Sequence, residues 1–139
     1  MSDTVASPPV EEEELLARFV TVAKWVREDQ TIRQDAFIPP KDLNLSVTRH
    51  LVLSQDELWA IGQAVADAVA KHPKAVLYGS ADIRVRQVTH EKLRVEPAPL
   101  PENENHAHIT GWPDKAARKS IAQSLADAAG KVVPPPRRA

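Results

Sequence analysis

Hydrophobic positions recur along this chain with more than one period. Between Glu11 and about Glu28, Leu15, Phe19, Val22 and Val26 follow one another at helical spacing, and Leu16, Val20 and Ala23 widen the stripe. This pattern predicts a helix whose opening glutamates sit where the helix dipole favours negative charge. "FIPPKD" then breaks the helix, because proline removes a backbone donor and restricts the residue before it. In "LNLSV" the period falls to two. Leu43, Leu45 and Val47 oppose Asn44, Ser46 and Thr48, as in a half-buried strand.

"SQDE" carries the spacing of a capping box, with Ser54 as N-cap and Glu57 three positions on. Leu58, Ile61, Val65 and Val69 give the stripe of a second helix ending before Pro73, with Gly62 allowing close packing. Alternation returns in "AVLYGSADIRVRQV", where Ile83 and Val85 oppose Asp82, Arg84 and Arg86, and "LRVE" extends or adds to that sheet. Prolines 97, 99 and 101 suggest an extended connector. The last helix runs from Pro113, suited to a first turn, through Ala117, Ile121, Leu125 and Ala128 to Gly130.

Helix, strand, helix, strands, helix predicts an α+β fold, a small mostly antiparallel sheet with about three helices packed on one face. The expected organisation is a disordered segment at 1–10, one α+β domain at 11–130 and a flexible Pro/Arg-rich tail at 131–139.

Composition narrows the chemistry. The 139 residues contain no cysteine, which excludes disulfides, thiolate metal sites and a cysteine nucleophile. No run of eighteen apolar residues is present, and "MSDTVASPPVEEEE" has no apolar core of a secretory signal. The chain is therefore expected to be soluble and cytoplasmic, with no membrane as partner. Net charge is −1 but unevenly spread: residues 1–30 hold seven acids against three bases, residues 113–139 six bases against two acids. This polarity suits either an acidic partner at the carboxyl end or mutual pairing of the two ends.

The densest candidate chemistry is "HAHITGWP" at 106–113. In a strand, Glu104, His106, His108 and Thr110 share one face, with Ala107 and Ile109 on the other. The histidine Cα atoms then stand roughly 6.5–7 Å apart. Two imidazoles so placed can take a divalent metal with Glu104 as third ligand, an anion, or a proton. Metal candidates are Glu104, His106 and His108. Catalytic candidates are His50, His106 and His108. Arg49, Thr110 and Trp112 are candidate ligand-binding residues, Arg49 as a carboxylate or phosphate clamp. The strand of Ser46, Thr48 and His50 supplies a second polar face that coincides with the first if the strands are neighbours.

His108-Ile-Thr110 resembles half of the paired His-x-Thr/Ser signature of the two-histidine phosphoesterases, which implies a phosphodiester reaction. Its second copy is missing, since His50-Leu-Val52 and His90-Glu-Lys92 lack the hydroxyl. "LYGS" at 77–80 resembles the opening of nucleotidyltransferase sites, but the required pair of acids does not follow. No Gly-rich phosphate loop or nucleophile elbow is present.

The expected function is therefore binding of a protein partner or small ligand through a polar sheet face. The alternatives are a histidine-dependent hydrolase, metal-assisted or a phosphodiesterase, and, ranked last, nucleic-acid binding through Arg84, Arg86, Lys92 and Arg94 without stacking aromatics. Trp25 and Trp59, beside their apolar stripes, are expected at the boundary of the core or at a partner contact.

Overall fold

In a computed structural model that describes residues 8–69 and 76–136, five antiparallel strands form one sheet. They are β1 (Leu15–Val20), β2 (Leu45–Arg49), β3 (Gly79–Arg84), β4 (Arg94–Pro97) and β5 (His106–Thr110), in spatial order β3-β1-β2-β5-β4. The helices are α1 (Gln55–Val69), α2 (Val85–His90) and α3 (Lys115–Ala129). The protein is an α+β domain with a small antiparallel sheet and three helices, the class the sequence predicts.

The helix expected at Glu11–Glu28 is instead β1 followed by a short 3₁₀ helix at Ala23–Trp25. The cause is burial on both sides. β1 lies between β3 and β2, with Leu16 and Val20 in the main core while Ala17 and Phe19 pack with Leu58 of α1. A strand covered on both faces loses its polar-apolar alternation, and its apolar run then mimics a helical stripe. The glutamates therefore cap no helix. Instead Glu14 pairs with Arg49, Glu13 with Arg86, and Glu12 accepts from Thr89.

Two further boundaries move. β3 ends at Arg84, and Val85 and Val88 bury one side of α2, a helix where a continued strand is expected. β2 begins at Leu45, because Leu43 adopts a left-handed φ of 60°. Elsewhere local sequence signals hold. Ser54 and Glu57 exchange two hydrogen bonds of 3.0 and 3.1 Å as the α1 capping box. Asp114, rather than the proline before it, caps α3 by accepting from the Ala117 amide, and Gly130 ends that helix with φ of 66°.

The helices divide between the faces. α3 contributes Ala122, Leu125 and Ala126 to a core shared with Leu16, Val20, Leu45, Val47, Ile83, Ala107 and Ile109. α1 packs on the other side, where Gly62 lies against the Phe19 ring. The single-face expectation thus holds for α3 but not for α1. Nor is the stretch after Gly130 loose throughout: Lys131 bridges Thr31, Val133 bridges Ser80, and Val132 is buried. Residues 1–7 and 137–139, on which the expected disordered ends partly fall, lie outside the described residues. Among the described residues no helix is long and apolar enough to cross a membrane.

Candidate functional site

Strand register builds the site. His108 lies opposite Ser46 on one side and Glu96 on the other; His106 lies opposite Thr48; Thr110 lies opposite Arg94. Cross-strand partners project from the same face. Ala107 and Ile109, fully buried, project into the α3 core. β5 therefore has the alternation expected of it, and the polar faces of β2 and β5 coincide. α1 rests on Ala17 and Phe19 of β1 and reaches β2 and β5 through Val65, beside Ser46, Thr48 and His106. Farther across that face Ser46, Glu96 and Arg94 are exposed, His106 and His108 are half-buried, and Thr48 and Thr110 are buried.

The two rings meet edge to face, with centroids 4.8 Å apart and planes at 88°. His106 Nδ1 lies 2.8 Å from the Ala98 carbonyl oxygen. A carbonyl can only accept, so Nδ1 is the donor in this contact. Burial, and next the neighbouring His106, hold the His108 pKa below its ordinary value, against the opposing pull of Asp42 and Glu96. At neutral pH the face thus offers a neutral His108 beside exposed Glu96 and Ser46.

The other candidates disperse. Arg49 is 1% exposed and held by both Glu14 oxygens, with a further bond to the Pro9 carbonyl. A guanidinium so engaged is a structural fastener, not the ligand clamp expected. His50 turns to Asp82, at 3.3 Å, and does not join the β5 pair. Ser80 also donates to that same Asp82 oxygen, at 2.6 Å, so its hydroxyl proton goes to the carboxylate and no histidine activates it. Trp112 is buried and donates its indole N–H to the Ile109 carbonyl, which makes it a core anchor. Thr110 donates to Glu96 at 2.8 Å, buttressing the edge of the face. Glu104 is exposed in the turn before β5, and among the described residues no three His, Asp or Glu side chains gather where they could hold a metal ion.

Of the four bases in the nucleic-acid reading, Arg84 donates to the Glu13 carbonyl and Arg86 pairs with the Glu13 side chain. Lys92 and Arg94 are exposed.

One neighbour of the site left no signal in the sequence. β1 and β2 pair through Leu16–Arg49 and Ala17–Thr48 only, and beyond them Arg18 donates to the Ser46 carbonyl and, from Nε, to the Ala36 carbonyl. Its guanidinium carbon lies 5.3 Å from the centre of the Trp25 ring. Burial without a carboxylate lowers its pKa to about 10, which still leaves it charged at neutral pH. Arg18 thus supplies donors to a strand carbonyl beyond the last β1–β2 pair and to a carbonyl of the short 3₁₀ helix at Gln34–Phe37. Beside it, bounded by Ser46, Thr48, Val65 and His106, is a cleft of about 40 Å³.

Comparison with known protein families, with curated proteins and with solved structures finds no match for this chain.

Proposed function

We propose that this protein is a binding module whose recognition surface is the polar β2-β5-β4 half of the sheet, and that its ligand is the surface of a protein partner. The observation that carries this reading is the coverage of the sheet. α1 packs over the β1 side, and beyond it the exposed Ser46 and Glu96 stand side by side with the half-buried His106 and His108. Enclosed small-molecule sites usually have volumes of roughly 300–1,000 Å³. The cleft beside the histidines, at about 40 Å³, takes little more than water. A partly exposed, mixed donor-acceptor surface beside so small a cleft suits a partner's side chains better than a metabolite. A neutral His108 also lowers the desolvation cost of covering the face, because a neutral ring is cheaper to bury than an imidazolium.

The hydrolase reading draws less support. The groups it would recruit to assist the pair, Arg49 and His50, are turned to Glu14 and Asp82.

The test uses the full chain as bait in a native lysate of its source cells. A recovered protein is then expressed and titrated calorimetrically against wild type and a His106→Ala/His108→Ala variant. The variant is expected to bind at least about tenfold more weakly, a loss of about 1.4 kcal/mol. Equal affinity for both proteins overturns the assignment of this face.

A further inference from the structure

Past its Asp114 cap, the first turns of α3 carry charge of the sign their dipole disfavours. Carboxylates are favoured there, yet the first turn holds no acid, and Lys115 takes the first helical position with Arg118 and Lys119 soon after. Lys115 and Lys119 are exposed, while Arg118 is partly buried and its Nε donates to the Pro113 carbonyl. None of the three joins an ion pair among the described residues, where Arg49, His50 and Arg86 supply the basic partners. Opposite them stands the Ile38–Lys41 loop, and between loop and helix runs a groove of about 400 Å³. The loop brings a fourth free cation, Lys41, and an apolar floor of Ile38, Pro39 and Pro40. Two acids lie near by, Asp114 capping α3 and Asp42 accepting from the Asn44 amide, and they offset part of this charge. The groove lining itself holds four cations and no acid, so positive charge prevails over one apolar trough. Such local disagreement with helix electrostatics is characteristic of positions held for function.

We infer that this groove binds an acidic peptide segment of a partner protein, with carboxylates at the cationic rim and an aliphatic side chain on the Ile38–Pro40 floor. Charge complementarity names the acid, and the apolar floor names the anchor. No aromatic ring lines the groove, so a stacked nucleic-acid strand has no platform there. The inference uses none of the residues of the histidine face and does not depend on the role proposed for it.

The probe is a fluorescein-labelled peptide of glutamates flanking a central leucine and isoleucine. Its comparators are the glutamine version, an all-glutamate version and a labelled single-stranded DNA. Fluorescence anisotropy is expected to show saturable binding of the first peptide, weaker at high salt, with both comparator peptides inferior. Lys115→Glu/Arg118→Glu/Lys119→Glu is expected to weaken binding by about tenfold or more, while His106→Ala/His108→Ala leaves it unchanged. Glutamates in the first turns of α3 agree with the dipole, so the variant's melting temperature is expected to hold or rise. Should it fall, Lys41→Glu on the facing loop tests the groove without touching the helix, and is expected to weaken binding too. The inference is overturned if charge reversal leaves peptide affinity intact, if the DNA binds more tightly than the acidic peptide, or if no peptide saturates.

Discussion

Arg49 holds Glu14 through two hydrogen bonds, Nε to Oε2 at 2.6 Å and Nη2 to Oε1 at 2.8 Å, with both side chains almost entirely buried. The pair ties the segment ahead of β1 to the end of β2. The neighbouring pair, Glu13 with Arg86, is a single contact of 2.9 Å and more than half exposed on both sides. Burial should separate them sharply. Removing one partner of a buried pair strands the other charge, at a cost of about 3–5 kcal/mol, whereas exposed pairs contribute about 0.2–1 kcal/mol. Urea unfolding of Glu14→Gln and Glu13→Gln at neutral pH is expected to show that contrast. Similar losses in the two variants would mean that Arg49 is not isolated from water as the structure has it.

Protonation of His108 should work against the fold. Its pKa lies below the ordinary histidine value, chiefly through burial and then through His106, so the unfolded chain takes up the proton first as pH falls. Above about pH 6.5 both states are neutral and the group contributes nothing to pH dependence. Below that value the unfolded state gains, and stability declines until the folded-state pKa is passed. NMR titration of the His108 ring is expected to give a midpoint below 6.5, the ordinary value. His106→Ala should raise that midpoint by removing a repelling neighbour, and Glu96→Gln should lower it by removing an attracting one. Shifts of the opposite sign would mean that the rings are not arranged as described. The same sign carries over to binding, since a partner that covers the face should associate less well as pH falls and His108 takes up its proton.

How far the sequence was legible depends on what covers each element. β5 and its histidines were readable because one side of the strand meets the α3 core and the other does not, so Ala107 and Ile109 alternate with His106 and His108. α1 announces itself through Ser54 and Glu57, whose exchange of hydrogen bonds is local. β1 was misread because α1 and the α3 core cover it from both sides, leaving an apolar run without a period of two. Arg18, a single charge within an apolar run, gives no hint in the sequence that it would donate to the Ser46 and Ala36 carbonyls. The extent of the polar face was equally hidden. It depends on where α1 comes to rest, a tertiary contact between Phe19 and Gly62 that no local pattern encodes.

That contact supplies the sharpest test of the sheet's division into an α1-covered half and a polar half. Gly62 sits in the middle of α1, where replacing glycine by alanine ordinarily stabilises a helix by about 1 kcal/mol. Here an added Cβ would stand 2.7 Å and 2.8 Å from two Phe19 ring atoms and 3.0 Å from a Leu77 methyl. Phe19 is 5% exposed and its backbone is held in register against Ser80 of β3, so the ring has little room to retreat. Overpacking of this kind costs about 1–3 kcal/mol, enough to cancel the helix gain and reverse it. Gly62→Ala is therefore expected to lower the melting temperature. In a Phe19→Leu background the same substitution should cost less or turn favourable, a coupling that a double-mutant cycle measures directly. A rise in melting temperature for Gly62→Ala alone, as helix propensity by itself demands, would show that α1 does not press on β1 at this point, and the boundary of the polar face would have to be redrawn.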